Sequence, residues 1–418
     1  EGQFTVLASP VLTGDVNSED VASTFFDADG DGDMDLYVVS GGNAFPLNDP
    51  KYLDRLYLND GQGNFTKATL PIPPSSGGAV VAWDYDQDGD QDLLIGGRVK
   101  PGFFPEAPIS YVLENQGGGN FIDATARVFP EFNTMGMITD LQTADLDGDG
   151  RLELVICGDF LPIQVFVFQT SSFVNTTTDW GLENTTGLWR KVTIADVDKD
   201  GKKDIIAGNE GLNTRLKASI NDPLKLYYDD FDHNGSIDPI LCYPYQGNYY
   251  PFSGRDAIMG QIPELKKRFS RYQLYANANI EEVLGTLISN AKILNVEMLA
   301  NTIFFQEGGK FLPSALSNQG QIAPVYDVLS FDFNQDGKMD YLLGGNFYGN
   351  ETETGVYDGG NGLLLQSNDT RIPSYLPNQQ YNIWISEEVR HLEQIELADK
   401  KRGIIVLNNN GPLQLLVN

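Results

Sequence analysis

A nine-residue acidic pattern recurs six times along the chain and limits what it can fold into. The copies are DADGDGDMD from Asp27, DYDQDGDQD from Asp84, DLDGDGRLE from Asp145, DVDKDGKKD from Asp196, DFDHNGSID from Asp230 and DFNQDGKMD from Asp332. Their shared form is D-x-[DN]-x-[DN]-G-x-x-[DE]. Apolar runs such as GGAVVAW, KVTIA and YDVLSF precede the copies, and LYVVSGG, LLIGG, LVICG, IIAGN, PILCY and YLLGG follow them. These flanks are short, rich in β-branched and aromatic residues, and have no helical period, so each acidic loop joins two strands of a hairpin. A second hairpin with a glycine-containing turn follows most copies: LYLNDGQGNF, YVLENQGGGNF, VFVFQTSSF and TIFFQEGGKF. Two hairpins make a four-stranded antiparallel unit, and the 44 Gly and 21 Pro suit the many tight turns such units need.

A repeated unit of this kind is a propeller blade. The chain ends support closure of a ring. Gly2-Gln3-Phe4-Thr5 resembles Gly63-Asn64-Phe65-Thr66, so residues 3–8 look like a fourth strand without its blade. At the other end VRHLEQIEL, GIIVLNN and PLQLLV supply three strands, with ADKKR in place of an acidic loop. The expected fold is therefore all-β: a seven-bladed β-propeller forming a single domain over 1–418, closed by an N-terminal strand in the last blade. Closure would remove the exposed sheet edges that invite aggregation. The 34 residues between the starts of the fourth and fifth acidic loops leave little room for a second hairpin there. Residues 253–300, with PELKKRFSRY and IEEVLGTLISNA, have helical spacing and are expected as an insertion within or after the fifth blade.

Alternating carboxylates converge on one point and suit a hard cation. Position one is Asp27, Asp84, Asp145, Asp196, Asp230 and Asp332; position three is Asp29, Asp86, Asp147, Asp198, Asp232 and Asn334; position five is Asp31, Asp88, Asp149, Asp200, Asn234 and Asp336. Position seven, contributing at least its main-chain carbonyl, is Asp33, Asp90, Arg151, Lys202, Ser236 and Lys338, and position nine is Asp35, Asp92, Glu153, Asp204, Asp238 and Asp340. An oxygen-only donor set in flexible geometry is what calcium takes, so up to six calcium ions are expected. The loop differs from an EF-hand in ending its acids at position nine and in lying between strands. Asp and Gly also serve turns without metal. Six copies favour the cation, because carboxylates packed this densely repel one another without one.

Charge excludes other classes. With 28 Lys plus Arg against 58 Asp plus Glu, the formal charge is -30, which disfavours nucleic acid and anionic membrane surfaces as partners. No apolar stretch is long enough to cross a bilayer, and the chain opens with no signal-peptide pattern. Cys157 and Cys242 are too few for a disulfide framework, and His233 and His391 too few for a histidine metal centre. Modules of this type bind calcium where it is plentiful, which predicts a secreted or outer-membrane-associated protein on the extracellular face.

The acidic hairpins followed by GG or GN resemble the FG-GAP and VCBS repeats of integrin-like propellers. The segments GNEGLNTRLKAS, LYYDDFDHNGSIDPIL and YPFSGRDAIMGQIPELKKRF are similar to bacterial surface VCBS-repeat proteins of the ASPIC/UnbV-associated type, although no ASPIC/UnbV module is evident. The resemblance spans nearly the whole chain. It implies calcium-bound, cell-surface scaffolding or binding in place of catalysis.

If all acidic loops share one rim, the connections between second and third strands share the other. They are long: 41–54, 96–110, 208–223 and 344–361. They carry Asn43, Phe45, Tyr52, Arg98, Lys100, Phe103, Phe104, Asn209, Asn213, Arg215, Asn346, Phe347 and Tyr348. These residues are expected to bind a glycan or a protein partner, or else to pack the loops onto the ring. The alternative is a calcium-dependent polysaccharide lyase or hydrolase using Arg98, Arg215, Arg255, Lys100 and tyrosines. No nucleophile elbow, zinc-protease motif or phosphate loop supports it. The basic run Glu264 to Arg271 suits either an acidic partner or a solvated helix face.

Overall fold

The computed structural model describes residues 9–350, 354–368, 370–397 and 401–417. The fold is all-β, made of antiparallel sheets of mostly four strands with a few small helices. In the first sheet the strands Asp20–Phe26, Asp35–Ser40, Arg55–Asn59 and Phe65–Ala68 lie side by side in chain order. The second repeats this with Gly77–Trp83, Asp92–Gly97, Tyr111–Asn115 and Phe121–Asp123. The third has Met137–Ala144, Glu153–Leu161, Gln164–Gln169 and Ser172–Asn175, with Gly187–Leu188 added at the far end of Glu153–Leu161. The fifth has Val325–Phe331, Asp340–Gly345, Leu363–Gln366 and Ser374–Leu376. The last has three described strands: Val389–Glu396, Arg402–Asn408 and Gln414–Val417. The acidic loops and glycine turns therefore fall between the strand pairs their flanks predict.

Sheets stack face to face, which explains why second strands read as unbroken apolar runs. DLLIGG of the second sheet is buried throughout. Its neighbours Phe26, Tyr37 and Leu56 of the first sheet meet Leu93, Ile95 and Leu113 in one core. The next core joins Leu94 and Val112 to Leu141, Leu154 and Phe166, and the one after joins Val155, Cys157 and Val165 to Val192, Ile205 and Phe304. Ile206, Ile303 and Phe305 then meet Val328, Tyr341 and Leu343, and Leu342 and Leu364 meet Val389, Leu392 and Val406. The first strand of each sheet lies against the first strand of the next. Among the described residues six sheets thus form a row, and those between the two ends bury both faces of their middle strands, whereas Leu407 in the last sheet is exposed.

The fourth sheet corrects the expectation for the fifth acidic hairpin. It consists of Lys191–Ala195, Asp204–Gly208, Thr302–Glu307 and Lys310–Ala315, so TIFFQEGGKF completes this sheet. The chain leaves after Gly208 and returns at Thr302, which is paired with Ala207. The excursion between holds the fifth acidic loop in a sheet of its own, ordered Asn248–Pro251, Ile240–Tyr245, Leu224–Tyr228, Lys292–Val296. An acidic loop specifies its own hairpin but not the sheet that hairpin joins, and that pairing is non-local. The helical segment lies within this excursion, as helices Arg255–Gln261, Tyr272–Tyr275 and Ile280–Leu284. A capping box between Asn279 and Glu282 starts the last of these. The excursion has its own core of Phe231, Ile240, Cys242, Ile258, Met259, Val283 and Leu284. Both cysteines are buried and unpaired, as expected. The N-terminal strand proposed for 3–8 and residues 398–400 of ADKKR lie outside the described residues. No described helix is long and apolar enough to cross a membrane.

Leu224 and Val296 of the inserted sheet pack with Phe160 and Leu188 of the third, but Val283 lies in the cluster confined to the excursion, so Val283→Asp should unfold the insertion alone. Limited proteolysis should then cut within 209–301 while the remaining sheets stay protected, and general loss of protection would contradict this division.

Candidate metal centre

Each acidic loop is shaped by the same ladder of hydrogen bonds. The position-six glycine N–H donates to the Oδ2 of position one in all six loops, at 2.9 to 3.2 Å. Position five donates to the Oδ1 of position three, and position seven to the Oδ1 of position five. The turn requires left-handed backbone twice. Position six is always glycine, while position four takes it at Gly30 and Gly148 but also at Gln87, Lys199, His233 and Gln335. His233 is thus a turn residue.

Position nine ties the loop to the sheet. Asp35 accepts from Ala28 N at 2.7 Å and from Asn59 N at 2.7 Å. Asp204 likewise accepts from Val197 N and Gln306 N, each at 2.9 Å, and Asp340 from Phe333 N at 3.1 Å and Ser367 N at 2.9 Å. The second residue of the loop is an apolar anchor in these cases, so the buried carboxylate spans from loop to third strand. This double role was not legible from the acid spacing alone.

Carboxylate oxygens converge within 4.8 Å in five sets: Asp27, Asp29 and Asp35; Asp84, Asp86 and Asp92; Asp145, Asp147 and Glu153; Asp196, Asp198 and Asp204; Asp230, Asp232 and Asp238. The sixth loop keeps Asp332 and Asp340 but has Asn334 at position three. The triads use positions one, three and nine. Position-five side chains are instead spent on position-seven N–H groups, and in two loops also on position-seven cations: Arg151 on Asp149 and Lys202 on Asp200, both at 2.6 Å. In the fourth loop Arg371 reaches Asp198 at 3.2 Å, pairs with Glu307 and lies over the Phe305 ring.

The triads are electrostatically unfavourable by themselves. Burial, with facing carboxylates adding to it, pushes Asp92 and Glu153 up to about 7 and Asp238 up to about 6. Asp196 Oδ1, in the fourth triad, is buried with no hydrogen-bond partner. A buried carboxylate oxygen without a partner, in a cluster of oxygen donors, fits a hard divalent cation, which would supply the missing partner.

In the opposite connections many of the named residues pack the loops onto the sheets, the second of the two expected roles. Asn43 accepts from Gly102 N, and the buried Tyr52 hydroxyl bonds both backbone groups of Phe45. Asn209 and Asn346 are buried and hold the backbone of Met298, Gly360 and Ser386. Asn213 donates to Ile322 O, Arg215 covers Phe252, and Lys100 covers Phe103. These residues fasten loops. Phe104 and Tyr348 keep exposed faces. Arg98 and Phe347 join a cluster absent from the sequence-derived set. There Arg190 bonds Asp159 at 2.8 Å and Glu210 at 3.3 Å, Arg98 pairs with the same Asp159, and Tyr326 stacks on Phe347 beneath Arg390. Burial pushes Asp159 up, but Arg190 and Arg98 outweigh it and hold it low. Tyr326 and Arg390 sit at β-bulges near the starts of first strands, and bulges re-aim side chains. The sequence signal was the matching placement of Arg190-Lys191, Tyr326-Asp327 and Arg390-His391. In the basic run, Arg268 is used on Glu282 and Val283 carbonyls.

The FG-GAP-like repeat family model matches residues 27–95, 84–156 and 145–207, so the chain carries FG-GAP-like repeats, which suggest a propeller. No curated protein matches the chain. Among solved structures, it is similar to an Agrocybe aegerita lectin recognising non-reducing terminal N-acetylglucosamine, at 14% identity over 96% of this chain and 81% of that one, TM-score 0.43. It is also similar to BBS1N in complex with ARL6DN, at 10% identity over 96% and 93%, TM-score 0.36. A third is the V. cholerae biofilm matrix protein Bap1, at 10% identity over 94% and 85%, TM-score 0.30.

Position nine and position three should separate in a chelator. Asp204→Ala strands two backbone donors and should cost about 2–4 kcal/mol in urea unfolding without divalent ions. Asp198→Ala should cost under about 1 kcal/mol there. Equal costs would refute the double role of position nine.

Proposed function

We propose that this chain is a non-enzymatic, calcium-stabilised binding or scaffold module, working at the extracellular face of a cell with a protein or glycan partner. The observation that carries this is the convergence of three carboxylates in each of five loops, with a buried oxygen of Asp196 lacking a hydrogen-bond partner. Position-one and position-three carboxylates would hold the ion, and position nine would link it to the third strand. Calcium suits the oxygen donors and the flexible loop geometry, and millimolar calcium outside cells suits sites of modest affinity.

In this reading the row of sheets bends into a propeller, with residues 3–8 adding a strand to the three-stranded last sheet. FG-GAP-like repeats support that architecture. Val21 and Phe25, exposed on the outer face of the first sheet, are the side chains such closure would cover. The ions act as staples at one end of each hairpin. A ring stiffened in this way presents its other loops in fixed positions, which is the property a scaffold needs.

Calcium at millimolar concentration should raise the melting temperature relative to chelator. Each site at 100 times its dissociation constant contributes about 2.7 kcal/mol. The gain should shrink at pH 5.5, where protons compete for Asp92, Glu153 and Asp238. Differential scanning fluorimetry reads both effects, and an unchanged melting curve would overturn the proposal.

A further inference from the structure

The inserted sheet carries an aromatic surface that neither its own core nor the acidic loops use. Strands Ile240–Tyr245 and Asn248–Pro251 form a hairpin whose turn, Gln246-Gly247, has positive φ at both residues, as a type I′ turn requires. The register sets Tyr243 opposite Tyr250 and Tyr245 opposite Asn248. Alternation therefore puts Tyr243, Tyr245 and Tyr250 on one face, while Cys242 and Tyr249 turn to the helices of the insertion. The three rings are neighbours: Tyr243 and Tyr250 have centroids 6.1 Å apart at 32°, and Tyr245 meets Tyr250 edge-on, 6.2 Å away at 67°, so Tyr245 offers its face in a second orientation. Tyr245 is 58% exposed and Tyr243 39%.

We infer that this face binds a neutral glycan chain. A phenol ring offers an apolar face to the C–H side of a pyranose and a hydroxyl at its edge, and its two χ angles cost little entropy to fix. Gln246 and Asn248 flank the rings with amide donors and acceptors, and Gln246 Nε2 already reaches the Tyr245 hydroxyl at 3.3 Å. From Pro239 to Gly254 the sequence has no Asp, Glu, Lys or Arg, within a chain whose net charge is -30. An uncharged ligand is what such a surface complements. Pro251 in the edge strand removes a backbone donor, which disfavours addition of a protein strand.

This inference rests on the binding-module reading and narrows it to one ligand class and one surface. The test is calorimetric titration of the full chain, in calcium, with cellohexaose, xylohexaose and chitohexaose, and with hexagalacturonate as the charged counterpart. At least one neutral hexasaccharide should bind in preference to hexagalacturonate. Tyr245→Ala should weaken it about tenfold, and Tyr243→Ala/Tyr245→Ala should abolish it, with the calcium-dependent melting temperature unchanged. Tyr245→Phe should retain most of the affinity. If no neutral oligosaccharide binds, the glycan inference falls while calcium stabilisation stands or falls on its own measurement. If binding survives Tyr243→Ala/Tyr245→Ala but is lost in Phe104→Ala or Tyr348→Ala, the glycan site lies on the other loops and this surface is wrong.

Discussion

Burial of one carboxylate among others at the ends of the strand hairpins is the constraint on which the structure turns. Three acids share a space less than 5 Å across in five separate loops. In water such charges would spread apart, but here position nine is buried and fixed by backbone donors, so the group cannot disperse. The fold therefore holds the charges together, and the proposed cation would relieve what the fold imposes. Burial first, and neighbouring carboxylates second, raise the affinity of Asp92, Glu153 and Asp238 for protons.

That constraint works because the loops are anchored from below. The position-two residues Ala28, Tyr85, Leu146, Val197 and Phe231 are all buried, and they follow closely on the ends of the strands that enter the loops. In the second sheet the second strand is buried on both sides by neighbouring sheets, so its loop cannot shift without disturbing two cores. Charge pairs at the other ends of the strands complete the framework: Asp159 takes Arg98 from the second sheet and Arg190 from the fourth. Such a buried set is costly to break, because removing one partner leaves another charge without compensation.

Much of this was legible in the sequence because it is local. Loop spacing, strand flanks and glycine turns each act within about ten residues, and the four-stranded units follow from them. What stayed hidden depends on pairing across long separations. The fifth acidic hairpin looks like its siblings from Asp230 to Asp238, yet its strands pair only with each other, Asn248–Pro251 and Lys292–Val296. Nothing in those residues says that Ala207 will find Thr302 across the excursion. Which long-loop residues fasten the loops was hidden for a related reason. Asn209 and Asn346 are polar and sit in long loops, but their amides are consumed by the backbone they hold. The bulges at Tyr326 and Arg390, which turn those side chains toward one cluster, leave only a faint trace in sequence.

Calcium counted directly by equilibrium dialysis is the most direct test of the central claim. The account predicts uptake of five ions for the five carboxylate triads, or six if the loop with Asn334 also binds, and the loss of one ion on Asp27→Asn/Asp29→Asn. A protein that stays folded and takes up no calcium at millimolar concentration would contradict it.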